Sequence, residues 1–481
     1  MELDKRLDHP LLLRLREIAR ETRLYLVGGA VRDWLLKRET KDFDFTLKEG
    51  AYCLAKRVAD SLGGSFVGLD KERDIARVVY KEFCLDFSGF RGASLEEDLL
   101  KRDFTINALS LDLREGRLID PLAGRKDLEE RRIRVISGSS FKDDPLRMLR
   151  AVRLAGSLSF AIEERALDMI TKSKGLINDV SPERIASEFF SILELSSSYP
   201  YLRLLYRTGL LLETFTELRP LQAVAQNGFH HLNAFDHSMA AIEELERIVL
   251  DPGQISYQDS SKVKEHLEEA LAHNHRRLSN LKLTCLLHDL GKPETLRKVG
   301  AQSRFINHEK VGADMASKIC RHLKLSKKER DYIRQLVRFH MWPGYLACLD
   351  KITKKAILKF LRKTGDNCPD VLLLSLADRY AARGALTTAQ TLKKHKELVR
   401  RILEEFFRQQ ELKPLPRLIT GKDLINLFNL SPSPLIGKIL RKVKEAYLAG
   451  EIKDRKEALD FVRLEMLKKT YHGGTKDTEK D

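Results

Sequence analysis

The sequence predicts an α+β protein, with a small mixed head at the N-terminus and a long helical remainder. Near the N-terminus, short apolar runs typical of strands alternate with helix-like stretches. Later stretches, such as Lys351–Arg362 and Leu392–Phe407, have the periodicity of basic amphipathic helices. At 481 residues the chain is too long for one hydrophobic core, so about two to four domains are expected.

The elements of the head follow one another in a simple order. An amphipathic helix over 9–22 precedes a short strand at 24–27, and a glycine pair then leads into a second helix. A strand through Asp42 and Asp44 comes next. The remaining expected elements are a helix at Ala51–Leu62 and strands at Ser65–Leu69, Ile75–Tyr80 and Phe83–Phe87.

The stretch Leu24–Leu47 carries the first chemical signal. Its apolar run ends at Gly28–Gly29 before a helix, an order that brings backbone N–H groups close to a phosphate. Asp42 and Asp44 alternate with two phenylalanines, so on a strand both carboxylates share one face. Two carboxylates beside a glycine turn suit divalent metal ions bound to a triphosphate.

This stretch, LYLVGGAVRDWLLKRETKDFDFTL, resembles the first motif of the class II tRNA nucleotidyltransferases and bacterial poly(A) polymerases, a branch of the DNA polymerase β-like superfamily. The resemblance implies a nucleotidyltransferase head, an all-α neck, an HD-type helical domain and a helical tail. The expected bounds are 1–135 for the head, 136–225 for the neck, 226–390 for the HD-type metal-binding domain and 391–481 for a tRNA-binding tail with a disordered end.

Two further segments match the same family. SLEEDLLKRDFTINALSLDL, residues 94–113, resembles its second motif, in which Arg102 and Asp103 are expected to contact the ribose and triphosphate. Lys101 stands where the common form of the motif has its first arginine, so the charge is kept but the planar fork is lost.

The second segment, FKDDPLRMLRAVRLAGSLSF, belongs to the neck, and its Arg147, Arg150 and Arg153 fall along one helical face. In the family, the E-D-x-x-R block at this place selects the incoming nucleotide with side chains instead of a template. Asp144 and Arg147 match the selecting pair, and Asp143 stands where the family has Glu. A carboxylate can accept from the amine of C or A while an arginine donates to ring acceptors.

Only the segment SGFRGAS lies between the strand that carries Asp86 and the helix expected near Leu95. Full CCA-adding relatives usually carry a longer polar loop here, which is needed to switch the pocket from C to A. Relatives that add only the two cytidines typically have it shortened. The sequence therefore favours CC addition over complete CCA addition. A poly(A) polymerase, which shares the head motifs, is the nearest alternative.

A second group of candidate ligands lies in the C-terminal half. Its pattern, H…HD…H…H…D, resembles the HD metal-dependent phosphohydrolase domain. Imidazole and carboxylate together suit Mn, Fe, Ni or Zn, and Mg through the carboxylates. If active, the site is expected to hydrolyse cyclic nucleotides or terminal phosphates, which makes an RNA-recruited HD phosphohydrolase another alternative. The candidate ligands are His237, His288, Asp289, His308, His340 and Asp378.

The predicted reaction needs Mg²⁺ and polyanionic partners. Asp42 and Asp44 are the expected catalytic residues and would hold two Mg²⁺ ions, one at the primer hydroxyl and one at the triphosphate. Gly28, Gly29 and Arg32 are expected to cradle the phosphates. Asp86, between two apolar neighbours, is an open candidate for a third carboxylate.

The expected partners are tRNA, CTP and ATP. The 86 Lys and Arg against 70 Asp and Glu give a net charge of +16, which favours a nucleic-acid partner. Six cysteines without a C-x-x-C pair indicate reduced thiols. Without a signal-like N-terminus or a long apolar segment, we expect a cytoplasmic protein with no membrane anchor and no stable protein partner.

Overall fold

The computed structural model describes residues 6–225, 232–256, 258–272, 275–299, 302–382, 384, 387–411, 418–449 and 451–472. The chain divides into two compact units, one formed by Met1–Glu217 with His322–Lys324 and the other by Leu218–Arg321 with Leu325–Asp481. The four expected domain boundaries stay predictions, and the expected disordered end beyond residue 472 lies outside the described residues.

The head is built on a mixed sheet of seven strands in the order β3-β4-β5-β2-β1-β6-β7. The strands are β1 Tyr25–Val27, β2 Asp42–Leu47, β3 Ser65–Asp70, β4 Ile75–Tyr80, β5 Phe83–Gly89, β6 Ser110–Asp112 and β7 Leu118–Ile119. The helices of the head are α1 Pro10–Ile18, α2 Gly29–Leu35, α3 Ala51–Leu62, α4 Leu95–Leu100 and α5 Gly124–Glu129. The predicted bounds of α3 and β4 are correct, whereas α1 is shorter than the expected 9–22.

Strand β2 pairs in parallel with β5 and antiparallel with β1, so it lies near the centre of the sheet. Phe43 and Phe45 are buried on its inner face, while Asp42 and Asp44 are exposed on the other. This is the alternation predicted from the two-residue period of a strand. The register sets Asp44 opposite Asp86 on β5 and opposite Val27 on β1, directly before the glycine turn.

The neck segment 141–160 is broken into two helices at Asp144. Asp144 is extended, with φ −149° and ψ 100°, because the proline that follows it disfavours a helical conformation there. The next helix begins at Arg147, and a later one begins at Pro182, a residue that suits the first position of a helix. The helices of the neck are α6 Ser140–Asp143, α7 Arg147–Leu158, α8 Glu164–Ser173, α9 Pro182–Leu193, α10 Tyr199–Arg207 and α11 Leu210–Thr214.

The second unit is mainly helical, and its described part also contains the hairpins Ala270–Ala272 with His275–Arg276 and Leu296–Val299 with Gln302–Phe305. Near its C-terminal end, Ile419, Leu424, Val443 and Val462 belong to a separate hydrophobic core. The helices are α12 Ala234–Leu250, α13 Ser260–Glu268, α14 Arg277–Leu287, α15 Lys292–Thr295, α16 His308–His322, α17 Lys327–Phe339, α18 Trp342–Ala347, α19 Lys354–Thr364, α20 Cys368–Ala381, α21 Ala389–Glu411, α22 Gly421–Phe428, α23 Pro434–Ala449 and α24 Arg455–His472.

The architecture is the predicted α+β arrangement of a mixed head and a helical remainder. All six cysteines are free thiols, as expected. Among the described residues, no helix combines the length and the apolar character needed to span a bilayer.

Candidate functional site

A cavity of about 490 Å³ opens in the first unit between the sheet of the head and helices α7 and α9 of the neck. Seven arginines and four aspartates line it, so its wall is strongly charged and on balance cationic. Asp42 is exposed on the same face of β2 as Asp44 but is not among the described residues that line the cavity. The polar and glycine residues that do line it are Gly28, Gly29, Arg32, Asp44, Asp86, Ser88, Arg91, Arg102, Asp103, Asn107, Asp144, Arg147, Arg150, Arg153 and Arg184.

Gly28 forms the floor of the cavity between β1 and α2. Its φ of +74° and ψ of −133° lie in a region that side-chain-bearing residues avoid, so glycine is required by the backbone. A Cβ added there would lie 3.1 Å from Arg102 Nη1 and 3.5 Å from Asp44 Oδ2. The turn therefore keeps main chain, cation and carboxylate close together, which is the arrangement needed to hold a phosphate beside a metal ion.

Three carboxylates lie on the paired strands β2 and β5. Asp44 lies opposite Asp86 in the parallel pair, and Asp42 lies two residues before Asp44 on the same face of β2. Although the Asp44 side chain is exposed, it lies in a crowded recess, and this desolvation raises its pKa; Asp86 and Asp42 add repulsion, while Arg102 opposes the shift. Repulsion among carboxylates is relieved by a divalent cation, so the group fits a Mg²⁺ site.

Asp86 is engaged by a partner that the sequence did not reveal. Arg77, on the neighbouring strand β4, donates to both of its carboxylate oxygens at 2.7 and 2.8 Å. Asp86, the candidate third carboxylate, therefore lies beside Asp44, but both of its oxygens accept hydrogen bonds from the guanidinium of Arg77. Asp44 is the carboxylate of the pair with no such partner among the described residues.

A hydrogen-bonded chain joins the head to the neck behind the cavity. Arg32 donates to the side-chain oxygen of Asn107 at 2.8 Å, and Asn107 donates to Asp103 at 2.9 Å. The other oxygen of Asp103 lies 3.4 Å from Arg150 Nη1 on α7. Asn107 was not predicted as a site residue, although it belongs to the same motif as Asp103. The signal that would have found it is the four-residue spacing from Asp103.

Glu188 on α9 fixes the orientation of two predicted arginines. It is buried, and its two oxygens accept from Arg150 Nε at 3.0 Å and from Arg153 Nε at 2.7 Å. Both guanidiniums are about one-third exposed and line the cavity. The arginine face predicted from the three-residue spacing thus exists, and a carboxylate from another helix holds it.

The two predicted base-selecting residues, Asp144 and Arg147, each contact another part of the first unit. Arg184 of α9 donates to both oxygens of Asp144, at 3.2 and 2.9 Å. Arg147 instead donates to the main-chain oxygen of Lys101 at 2.9 Å. Both Asp144 and Arg147 still line the cavity, and Arg184 joins them as a residue that sequence reasoning did not count in the site.

The second group of predicted ligands comes together in the second unit. The atoms that could bind a metal ion lie within 4.8 Å of one another in each of three overlapping groups formed by the six predicted residues. The rings of His288 and His308 lie 5.1 and 5.3 Å from that of His340. His237 Nε2 lies 2.8 Å from Asp378 Oδ1.

The imidazoles of this cluster are held in one tautomer by the main chain. His288, His308 and His340 each contact, through Nδ1, the carbonyl oxygen three residues before, at 2.8, 2.8 and 2.7 Å. A carbonyl accepts only from an N–H, so Nδ1 carries a proton in each ring. In His308 and His340, whose pKa values are lowered by burial, the ring is neutral and Nε2 keeps its lone pair. In His308 and His340 this Nε2 is buried without a hydrogen-bond partner among the described residues.

The protonation of His340 agrees with that tautomer. Burial, reinforced by the rings of His288 and His308, lowers the pKa of His340 to about 3, so the ring is neutral at physiological pH. Neutral Nε2 atoms combined with the carboxylates of Asp289 and Asp378 form a donor set that fits a first-row divalent metal ion.

Comparison with known proteins gives both parts of the chain a family. The Poly A polymerase head domain matches residues 24–134, the probable RNA and SrmB-binding site of polymerase A matches 159–221, and the putative domain 2 of tRNA nucleotidyltransferases matches 304–462. An A-adding tRNA nucleotidyltransferase of Deinococcus radiodurans is 34% identical over 447 residues, which cover 91% of this chain and 94% of that protein. The chain belongs to the tRNA nucleotidyltransferase family.

Other relatives support the same conclusion about this enzyme. A CC-adding tRNA nucleotidyltransferase of Thermus thermophilus is 32% identical over 450 residues, covering 91% of this chain and 92% of that protein. The Thermotoga maritima CCA-adding enzyme complexed with tRNA has the same fold, with a TM-score of 0.67 and 21% identity over 97% of this chain and 99% of that one. The predicted family, the fold class and the assignment as a nucleotidyltransferase are confirmed.

Proposed function

We propose that this nucleotidyltransferase adds two cytidines to the 3′ end of tRNA from CTP, without a nucleic-acid template. The 3′-hydroxyl oxygen of the primer forms a bond to the α-phosphorus of CTP while the bond to the β-phosphate breaks, which releases pyrophosphate. The observation that carries the proposal is the cavity that joins the Gly28 turn and Asp44 to Asp144 and Arg184, since it combines phosphate-binding and base-binding groups.

The roles of the residues follow from where they lie. Gly28 and Gly29, with Arg32 and Arg102, would hold the triphosphate through main-chain N–H groups and guanidiniums. Asp144 would accept from the exocyclic amine of cytosine, and Arg147 or Arg184 would donate to its ring acceptors. Uracil offers a carbonyl where cytosine has the amine, so the Asp144 carboxylate would meet an acceptor and repel it.

The carboxylates of β2 would bind the metal ions of the reaction. Asp42 and Asp44 would hold Mg²⁺, which supplies activation of the primer hydroxyl and neutralises charge on the departing pyrophosphate. The crowding that raises the pKa of Asp44 supports a cation at this place.

The preference for cytidine rests on the short link between β5 and α4. Strand β5 ends at Gly89 and α4 begins at Leu95, which leaves residues 90–94 for the link. A segment this short has little scope to reshape the cavity for a second nucleotide. Adding only the final adenosine is a second candidate function, favoured by the identity with the A-adding enzyme of Deinococcus radiodurans.

A nucleotide-by-nucleotide assay separates these functions. Each NTP is supplied singly to tRNAs that end at the discriminator base, at C and at CC. Incorporation of CTP that stops after two residues supports CC addition, and incorporation of ATP only on the CC end indicates A addition. Incorporation of both indicates complete CCA addition, whereas long A tracts on any RNA indicate a poly(A) polymerase.

We also propose that the histidine cluster of the second unit binds a divalent metal ion and supports phosphoester hydrolysis. The shared contact of His288, His308 and His340 with main-chain carbonyls through Nδ1 supports the metal site, since it turns each Nε2 towards the cluster. Mass spectrometry of dialysed protein is expected to find about one ion per chain in the cluster, lost in His308→Ala and kept when exposed His322 is changed to Gln.

Hydrolysis is tested separately with 2′,3′-cyclic nucleotides as probe substrates. Activity that disappears in His288→Ala while CTP incorporation continues supports two independent sites. Hydrolysis without incorporation of any NTP would favour the RNA-recruited phosphohydrolase instead.

A further inference from the structure

The short link between β5 and α4 is attached to α4 through its main chain. The N–H of Arg91 donates to Asp98 Oδ1 at 3.2 Å, and the N–H of Ala93 donates to Glu97 Oε2 at 2.9 Å. Lys101 also donates through Nζ to the carbonyl oxygen of Arg91. The main chain at Arg91 is therefore held through both its N–H and its carbonyl, by Asp98 of α4 and by Lys101, the C-cap residue of the same helix.

Gly92, in the middle of the link, packs directly against Glu97 of the same helix. A Cβ placed on Gly92 would come within 2.5 Å of Glu97 Oε2 and 2.7 Å of its Cβ, so only a glycine permits this approach. The N-cap Ser94 then accepts from the N–H of Glu97 at 3.3 Å, which fixes the start of the helix. Because these contacts hold the main chain from Arg91 to Ser94, the link presents its one charged side chain, Arg91, at a defined place on the cavity wall.

Asp98 connects this link to the floor of the cavity. It is fully buried, and while one of its oxygens accepts from the main chain of Arg91, the other accepts from Arg102 Nη2 at 3.1 Å. The Arg91 guanidinium is also near this carboxylate, with Nε 3.9 Å from Oδ1. One negative charge thus holds two arginines, and Arg102 is the arginine next to the Gly28 turn.

The surroundings of Arg91 have an excess of positive charge. Its side chain is 55% exposed and lines the cavity, near Arg102 and Arg147. Desolvation lowers the pKa of the Arg91 guanidinium, and repulsion from Arg102 and Arg147 adds to the effect, against the attraction of Asp98 and Asp103. The excess of arginines over aspartates in the cavity lining favours a multiply charged anion beside Arg91.

We propose that Arg91 binds the phosphates of the incoming nucleotide, as a third phosphate-binding arginine in addition to Arg32 and Arg102. A triphosphate carries the negative charge that the cationic cluster lacks, and a planar guanidinium can donate to two of its oxygens at once. The assignment rests on the proposed nucleotide transfer and extends it. The link between β5 and α4 would then contribute a side chain that binds the substrate.

The test compares Arg91→Ala and Arg91→Lys with a control, Arg73→Ala, whose side chain is 81% exposed outside the cavity. Two quantities are measured with whichever NTP the wild-type enzyme incorporates: the KM for that NTP and the inhibition constant of inorganic tripolyphosphate. In Arg91→Ala both are expected to rise about tenfold, the loss of one charge-assisted contact. Arg91→Lys keeps the charge without the fork and is expected to show a rise of about threefold.

Several outcomes would overturn the assignment. A higher KM for the NTP with unchanged inhibition by tripolyphosphate would place Arg91 at the base or ribose. A higher KM for tRNA alone would make it a primer contact, and no change in either constant would exclude a contact. Since Arg91→Lys changes no charge, it decides the matter if Arg91→Ala does not fold. Failure of the proposed CC addition would be visible in the wild-type enzyme, independently of these variants.

Discussion

Arg184 binds Asp144, which lies forty positions earlier in the chain, and its Nη2 donates to both carboxylate oxygens, at 2.9 and 3.2 Å. The contact orients a carboxylate that is half-buried in the wall of the cavity and lies in an extended break between two helices. It makes α9 part of the cavity wall, in addition to α7.

Removing Arg184 is expected to weaken the choice of base. In Arg184→Ala, Asp144 loses its partner, so the ratio of kcat/KM for CTP to that for UTP should fall by about tenfold, the value of one discriminating contact. Steady-state incorporation with each nucleotide measures the ratio. Arg165→Ala, an exposed arginine on α8, is the matched control. An unchanged ratio in Arg184→Ala would exclude a role in selection.

Removing Asp42 is expected to abolish nucleotide incorporation without unfolding the head. In Asp42→Ala the loss should exceed about a thousandfold, because a metal ligand is lost, while the midpoint of thermal unfolding stays unchanged since the side chain is exposed. Asp60→Ala, at an exposed position on α3, provides the control for removing a carboxylate from the surface of the head. Retained incorporation in Asp42→Ala would contradict the assignment of the metal site.

Neutralising Glu188 is expected to reduce both stability and substrate binding. In Glu188→Gln, Arg150 and Arg153 lose the charge that holds them, which should lower the free energy of unfolding by about 2 kcal/mol, allowing for their partial exposure to solvent. The KM for CTP should rise as well. Urea unfolding and initial-rate measurements test these effects against Glu183→Gln, an exposed glutamate on the same helix. Equal behaviour of the two variants would show that Glu188 has no special role.

The stability of the second unit is expected to fall in mild acid because of His395. Burial lowers the pKa of His395 to about 4 in the folded chain, from an unfolded value of 6.5. Above pH 6.5 both states are neutral; as the pH falls from 6.5 to 4, only the unfolded state binds the proton, so stability is lost. The difference of about 2.5 pH units corresponds to about 3 kcal/mol.

Urea unfolding at pH 7 and pH 5 measures this effect. His395→Gln should lose less stability between the two pH values than the wild-type protein does, whereas His322→Gln, at an exposed position, should behave like the wild type. An identical pH dependence in all three proteins would contradict the assignment.

Local periodicity predicted those features of the enzyme that depend on neighbouring residues. The alternation of Asp42 and Asp44 with buried rings and the bounds of α3 were both predicted correctly. The motifs likewise identified Gly28, Asp44 and the arginines of α7 as candidate site residues, and all of them line one cavity.

Contacts between segments that are distant in the chain could not be predicted from the sequence. The pairing of Asp86 with Arg77 depends on strand order, and those of Glu188 and Arg184 depend on how α9 packs against α7. No spacing rule encodes these distances. The tautomers of the histidine cluster were hidden for a related reason, since they depend on carbonyl oxygens, which every residue carries.

The cavity draws its lining from Gly28 to Arg184, and this has a consequence for the time course of synthesis. The sheet of the head is complete at Ile119, whereas the last described residue of the cavity lining lies 65 residues later, at position 184. At about 5–20 residues per second, the ribosome needs roughly 3–13 s to synthesise the chain between these two positions. The cavity is therefore completed only after the sheet, and a chain released between the two positions would lack Arg184, the partner of Asp144.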